Sequence, residues 1–247
     1  MSAGIPLVSV VVPVRGDSAP LAALLAQVPP HDGGVEVVVA STGPVDSAQQ
    51  RLRAARPDVT WLDAPPGRGV QLNAGAAVAR GVWLWFVHAD SRLPVAWWDA
   101  FVALETRGTA VGGSFAFRLD SPAWQARWLE RGVAWRVRLF DLPYGDQGIF
   151  ARRTVFTLLG GFRPVPLMED VEFIGRLKRH GRLEHLNEGL VTSAQRWEHR
   201  GWLRQSAANL VTLGLYGLGV SPERLARRYD RDSTSTRGSS DVDQAGA

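Results

Sequence analysis

Strands and helices alternating through the first ninety residues predict an α/β fold around a mostly parallel, doubly wound sheet. Two observations carry this. Short β-branched runs recur at 8–12, 36–40 and 59–62, each followed by a turn and an apolar-periodic helix. Residues 82–87 (VWLWFV) then form an unbroken apolar run of strand length, as in a strand covered on both faces. It is followed at once by His88, Ala89, Asp90 and Ser91, and open α/β folds hold ligands at the carboxyl ends of their strands. Asp90 is therefore the expected anchor of the chemistry, although the same position suits a cap for the helix starting near Pro94.

The elements follow in order. The first strand, 8–12, ends at Pro13, and Asp17 and Ser18 precede a helix carrying Leu21, Leu24 and Leu25. The second strand, 36–40, is broken by Ser41-Thr-Gly-Pro, and a helix at 49–56 leads to the third strand. A Pro-Pro-Gly-Arg-Gly turn precedes a helix at 71–80. After Asp90 a helix spans about 94–106, then a strand at 111–117 contains a glycine pair that lets another group approach closely. A long helix covers 121–140, a polar turn and short strand 145–150, and a helix opens at Met168-Glu169-Asp170 and runs to about His180. Short strands are expected at 183–186 and 189–192, a helix at 202–218, and a last turn or two at 222–229. From Arg231 onward Ser, Thr, Asp and Gly dominate, so 230–247 is expected to be a disordered tail. One domain, 1–229, is expected, its halves being 7–91 and 92–229.

Composition bounds the function. The absence of cysteine excludes disulfides and thiolate metal sites, and no signal-peptide pattern opens the chain, so a cytoplasmic protein is expected. The apolar run at 207–220 is too short to cross a bilayer. The net charge of +4 is too small and too dispersed to argue for nucleic acid. Lys178 is the only lysine; arginine favours bidentate contacts to phosphate, but a GC-rich genome gives the same bias.

Three groups of residues carry chemistry. Asp90 follows the fourth strand. Glu169 and Asp170 open a later helix, a position that also simply suits the helix dipole. Arg68, Gln71 and Asn73 lie where a helix N-terminus favours an anion. Together they suit transfer of a group away from a diphosphate. His88 also reads as a satisfied core histidine, and Arg68 as a surface arginine.

In order, the motifs are Val-Ser-Val-Val-Val-Pro, Gly-Arg-Gly-x-Gln-x-Asn-x-Gly, His-Ala-Asp, Gly-Gly-Ser-Phe, Gly-Asp-Gln-Gly-Ile-Phe and Met-Glu-Asp. Over roughly residues 7–229 this series resembles glycosyltransferase family 2, and within it the small bacterial subgroup named as a radical-SAM/selenodomain-associated transferase. The resemblance implies a GT-A fold, with a Rossmann-like nucleotide-sugar half, a smaller acceptor-side subdomain and C-terminal helices. It implies a nucleotide-diphosphate sugar as donor, a UDP-sugar first, and Mg²⁺ or Mn²⁺ on Asp90. Pro13, Val14, Arg15, Asp17, Ser41, Arg68, Gln71, Asn73, His88 and Ala89 fall on its nucleotide-sugar side. Gly113, Ser114, Asp146, Gln147, Arg196 and Trp197 fall on its acceptor side. Asp170, paired with Glu169, takes the place of the catalytic base, and an inverting displacement follows. Two departures stand out: Ser41 replaces the usual base-reading aspartate, and Asp-x-Asp is reduced to His88-Ala-Asp90.

Trp124, Trp128 and Trp135 share one face of the 121–140 helix, interleaved with arginines. A core-packing stripe is the first expectation. A helix lying on a membrane surface, reaching a lipid-linked acceptor, is the second. Rival functions are a catalytically silent nucleotide-sugar binder and a nucleotidyltransferase, for which residues 13–17 make a poor phosphate loop.

Overall fold

The computed structural model describes residues 4–16, 19–28 and 34–234. Its centre is a seven-stranded sheet: β1 (Val8–Arg15), β2 (Val35–Thr42), β3 (Thr60–Asp63), β4 (Trp83–Phe86), β5 (Gly112–Leu119), β6 (Phe150–Arg152) and β7 (Leu183–Thr192). The spatial order is β3-β2-β1-β4-β6-β5-β7, and only β6 runs against its neighbours. The helices are α1 (Ala19–Leu25), α2 (Ser47–Ala55), α3 (Arg68–Val78), α4 (Trp97–Arg107), α5 (Trp124–Phe140), α6 (Arg153–Leu158), α7 (Glu169–His180), α8 (Gln195–Arg200), α9 (Trp202–Gly217) and α10 (Pro222–Thr234). Successive strands step outward from β1 to β3, and the chain then returns to place β4 on the other side of β1. The carboxyl ends of β1 and β4 thus flank the topological switch point, where such sheets leave a crevice.

The two sheet faces are both buried, because side chains alternate along each strand. Val8, Val10, Val12, Trp83 and Trp85 pack on one face with Leu21 and Leu24 of α1 and Phe101 of α4. Val11, Leu84 and Phe86 pack on the other with Leu72 of α3 and Phe173 and Ile174 of α7. Trp85 stacks 4.8 Å from Phe115 and donates to the Gly148 carbonyl at 3.1 Å. Truncating a ring so enclosed costs about 3–5 kcal/mol.

Several expectations shift. The two C-terminal strands are one strand, β7, whose pairing with β5 slips between Ser114 and Ala116. The bulge lies at the point where the sequence pattern breaks. α6 and α8, of six residues each, are too short to leave an apolar period. α10 continues to Thr234, five residues into the predicted tail, while Asp17 and residues 235–247 lie outside the described residues. No helix among the described residues is long and apolar enough to cross a membrane.

The largest correction concerns α5. Trp124, Trp128 and Trp135 are 67%, 64% and 63% exposed, so they are not a core stripe. The face turned inward is Ala126, Glu130 and Val137. Glu130 accepts the Leu119 N–H at 2.9 Å and pairs with Arg127 at 2.9 Å. A small residue and a satisfied carboxylate fit the slot beside β5, and the indoles are left outside.

Candidate active site

Five segments converge at the switch point: the end of β1, residues 86–88 at the end of β4, the start of α3, the 144–147 turn and the start of α7. Pro13, Arg68, His88, Gly145, Glu169 and Asp170 line a narrow inner pocket. It opens into a cleft of about 240 Å³, also lined by Tyr144, Asp146, Met168, Arg196, Trp197 and Tyr229.

The acids are held in place from several sides. Asp170 Oδ2 accepts the Gly145 N–H at 2.7 Å, and Oδ1 accepts the Val171 N–H at 2.8 Å. Arg68 Nη1 lies 3.2 Å from Glu169 Oε1 and 3.8 Å from Asp170 Oδ2. Burial pushes the Glu169 carboxyl up, Arg68 pulls it down, and the Asp170 charge pushes it up again, leaving it above its ordinary value. Burial also raises Asp146, despite Arg136, Arg68 and Arg196 nearby. Met168, immediately before the pair, holds a left-handed backbone at φ 67°, strain of a kind that gathers at functional sites.

The 144–147 turn explains one glycine. A Cβ on Gly145 would fall 1.5 Å from Arg68 Nη2, so only glycine leaves room for the guanidinium. Gln147 is buried and serves the turn itself: its Oε1 accepts from Tyr144 N–H at 3.1 Å and Arg136 Nη2 at 3.0 Å. Arg136 in turn covers the Tyr144 ring at 3.5 Å.

His88 faces the cleft, but its Nε2 is shut off from solvent with no hydrogen-bond partner. Burial first, then the fields of Arg68 and Arg196, holds its pKa well below the ordinary value, so it is neutral at pH 7. It is therefore not the satisfied core histidine that its strand position allowed.

Other expected site residues lie elsewhere. Asp90 is exposed, two residues beyond His88, and is outside the wall of this cleft. Val14 points into the sheet core, Ala89 packs against the same core, and Arg15 is exposed at the strand end. Gln71 is buried and donates 2.8 Å hydrogen bonds to the Val14 and Ala40 carbonyls, tying β1 to β2. Asn73 exchanges bonds of 2.7 and 2.8 Å with the backbone of Phe162. These amides are consumed within the protein and are not free for a phosphate. Gly113 and Ser114 also lie inside the sheet: a Cβ on Gly113 would meet Glu184 O at 1.7 Å, and Ser114 Oγ sits 3.0 Å from His185 Nδ1. The group that approaches the glycine pair is neighbouring backbone. Ser41 is held by Asp63 at 3.2 Å and Arg53 at 3.1 Å, so β3 supplies a carboxylate at this end of the sheet.

Three cleft residues had little or no signal in the sequence. Tyr144 adjoins the recognised turn motif and could have been included with it. Met168 was read only as part of a helix start. Tyr229 reaches Arg196 Nη1 at 3.1 Å through the packing of α10 on α9, which no local pattern announces.

Residues 9–159 match the family described as Glycosyl transferase family 2. The chain belongs to that family. Arg68, His88, Asp90 and Asp146 lie inside the matched stretch, and Glu169, Asp170 and Arg196 lie beyond it. No curated protein sequence matches the chain. Among solved structures it is similar to S. aureus TarS 1-349 in complex with UDP-GlcNAc, with a TM-score of 0.56 and 15% identity over 75% of this chain. The chain spans 58% of that protein's length. It is also similar to the mannosyltransferase PcManGT from Pyrobaculum calidifontis in complex with GDP-Man and Mn²⁺. There the TM-score is 0.62 and identity 18%, over 90% of this chain and 67% of that one. The fold is GT-A.

Proposed function

We propose that the protein moves a sugar from a nucleotide-diphosphate sugar to an acceptor hydroxyl, inverting the anomeric carbon. The carrying observation is that Glu169, Asp170, Asp146, Arg68, Arg196 and His88 face one cleft at the switch point of the sheet. The family supports glycosyl transfer, and neighbours holding UDP-GlcNAc and GDP-Man support a nucleotide-sugar donor. UDP-sugars are the first donors to try. Within the family, the radical-SAM/selenodomain-associated subgroup is the proposed one, supported by the resemblance of the six ordered motifs. The proposed location is the cytoplasm, at the inner face of a membrane.

Asp170 is the proposed base. Its two backbone bonds fix the carboxylate while lone pairs remain free to take a proton from the acceptor. Glu169 steadies Arg68, and Arg68 with Arg196 provides positive charge where the diphosphate departs. His88, being neutral, lines the cleft without adding charge beside Arg68 and Arg196.

No group of three or more metal-capable side chains exists among the described residues. That donor set fits a hard cation only when substrate oxygens and water complete its shell, with Asp90 as the protein's ligand. A bound Mg²⁺ or Mn²⁺ would there neutralise charge on the diphosphate.

Asp170→Asn should lower donor turnover by roughly 10²–10⁴-fold with nucleotide-sugar binding intact by calorimetry. Asp90→Ala should lose turnover and metal-dependent binding together. Unchanged turnover in the first variant removes Asp170 from the base role. Donor binding without product or donor hydrolysis in wild type would instead favour the silent binding protein.

A further inference from the structure

A second cavity, of about 630 Å³, lies between α5 and α9. That is within the ~300–1,000 Å³ of ordinary ligand pockets. Its walls are apolar, formed by Leu129, Val133 and Phe140 on one side and Leu210 and Leu213 on the other. Its inner end is not. Tyr144, Asp146, Trp197 and Asn209 line both this cavity and the acidic cleft, so the two spaces meet. Asp146 stands at that junction, and its carboxylate accepts no hydrogen bond among the described residues.

The outer surface around the cavity is built contrary to a water-facing one. Gln205 is the sole buried residue of α9 among those described, while Leu203, Leu210 and Leu218 are 88%, 65% and 84% exposed. On α5 the exposed indoles stand beside arginines, with Arg131 lying over Trp128 at 5.7 Å. The only acid of α5, Glu130, is buried, and α9 has none, so the exposed charge on both helices is positive. Aromatic and aliphatic side chains flanked by arginine suit a bilayer surface with anionic headgroups. Residues 235–247 of the chain are polar apart from Val242 and four small alanine or glycine positions, a poor occupant for such a cavity.

Resting on the transferase reading above, we infer that the acceptor is a membrane lipid. Its hydroxyl-bearing head reaches Asp146 and Asp170, its hydrocarbon chain fills the α5–α9 cavity, and that face of the protein sits on the bilayer. In the transfer step the hydroxyl proton passes to the Asp170 carboxylate as the acceptor oxygen bonds to the anomeric carbon. The bond from that carbon to the diphosphate breaks, and its electron pair leaves on the diphosphate.

Gly132 gives the test a clean handle. It lines the cavity, and a Cβ there meets no atom within 4 Å, so Gly132→Phe fills the space without a backbone clash. A dansyl-labelled long-chain alcohol should bind the full chain saturably, and Gly132→Phe should weaken binding by about tenfold or more. Leu213→Trp is the second filling variant should the first fail to fold. Sedimentation with phosphatidylglycerol-containing vesicles should pellet the wild type and leave a Leu203→Glu/Leu218→Glu variant in solution. Phosphatidylcholine alone should pellet less.

Absence of saturable alcohol binding, equal binding by both filling variants, or no pelleting on anionic vesicles would overturn the inference. So would a lipid-free dimer in sedimentation velocity that the double glutamate variant abolishes, since a second copy would then cover the face. None of these assays contains a donor, so their failure is separate from failure of nucleotide-sugar binding.

Discussion

Arg68 shows how a single side chain can be read from sequence in kind and only partly in place. Its position at the start of a helix marked it as an anion-facing arginine, and the structure puts it in the cleft. There it is already paired with Glu169 and packed across Gly145. Gly145→Ala should therefore displace the guanidinium, since its Cβ would overlap Nη2. The expected result is a loss of donor turnover of about tenfold or more, with little change in thermal midpoint, measured on matched preparations. An unaltered rate would show that Arg68 is not needed where it stands. Gln71, Asn73, Gly113 and Ser114 had equally good motif positions, yet the first three serve neighbouring backbone and the Ser114 hydroxyl pairs with His185 inside the protein. A motif fixes which residue type is required; it does not say whether a ligand or a neighbouring strand requires it.

At the scale of elements, hydrophobic period located most strands and helices because burial on two sheet faces imposes it. It failed for α6 and α8, which are too short, and it misjudged α5. There the three tryptophans satisfy the spacing of a packed stripe, but spacing cannot tell a face turned to protein from one turned outward. The loop at 160–163 offers a test of element docking. Asn73 exchanges two hydrogen bonds with Phe162, whose ring packs 4.7 Å from that of Phe173 on α7. Asn73→Ala strips both partners from a part-buried loop and should cost roughly 1–3 kcal/mol in urea denaturation. Because α7 carries Glu169 and Asp170, turnover should fall with it. Unchanged stability would mean that the loop is held by its rings alone.

For the molecule as a whole, charge is placed differently at the two ends of the sheet. At the end away from the cleft, burial alone would raise the Glu36 carboxyl. Hydrogen bonds from Ser9 Oγ at 2.5 Å, the Arg80 N–H and side chain, and Gly81 N–H at 3.1 Å outweigh it and leave the group below its ordinary 4.5. A lowered carboxyl stabilises the fold above pH 4.5, and that contribution is lost as pH falls through the folded value. Glu36→Gln should thus be destabilised by roughly 1–3 kcal/mol at neutral pH and converge on wild type in acid, as read by denaturant midpoints against pH. A gap independent of pH would contradict this. Glu169 and Asp146 at the cleft run the other way: their raised values make the folded state hold protons more readily, so they reduce stability as pH rises through those values. Carboxyls shifted in this way by burial gather at functional sites.

The sequence by itself determined the α/β class, the parallel run of strands to Asp90, the pairing of Glu169 with Asp170 and the family. All of these are written in local period or in ordered motifs. Only the tertiary structure decided which polar groups remain free, and that α5 and α9 turn their apolar residues outward. Those outcomes depend on which distant segment occupies each position, and no spacing along the chain encodes that.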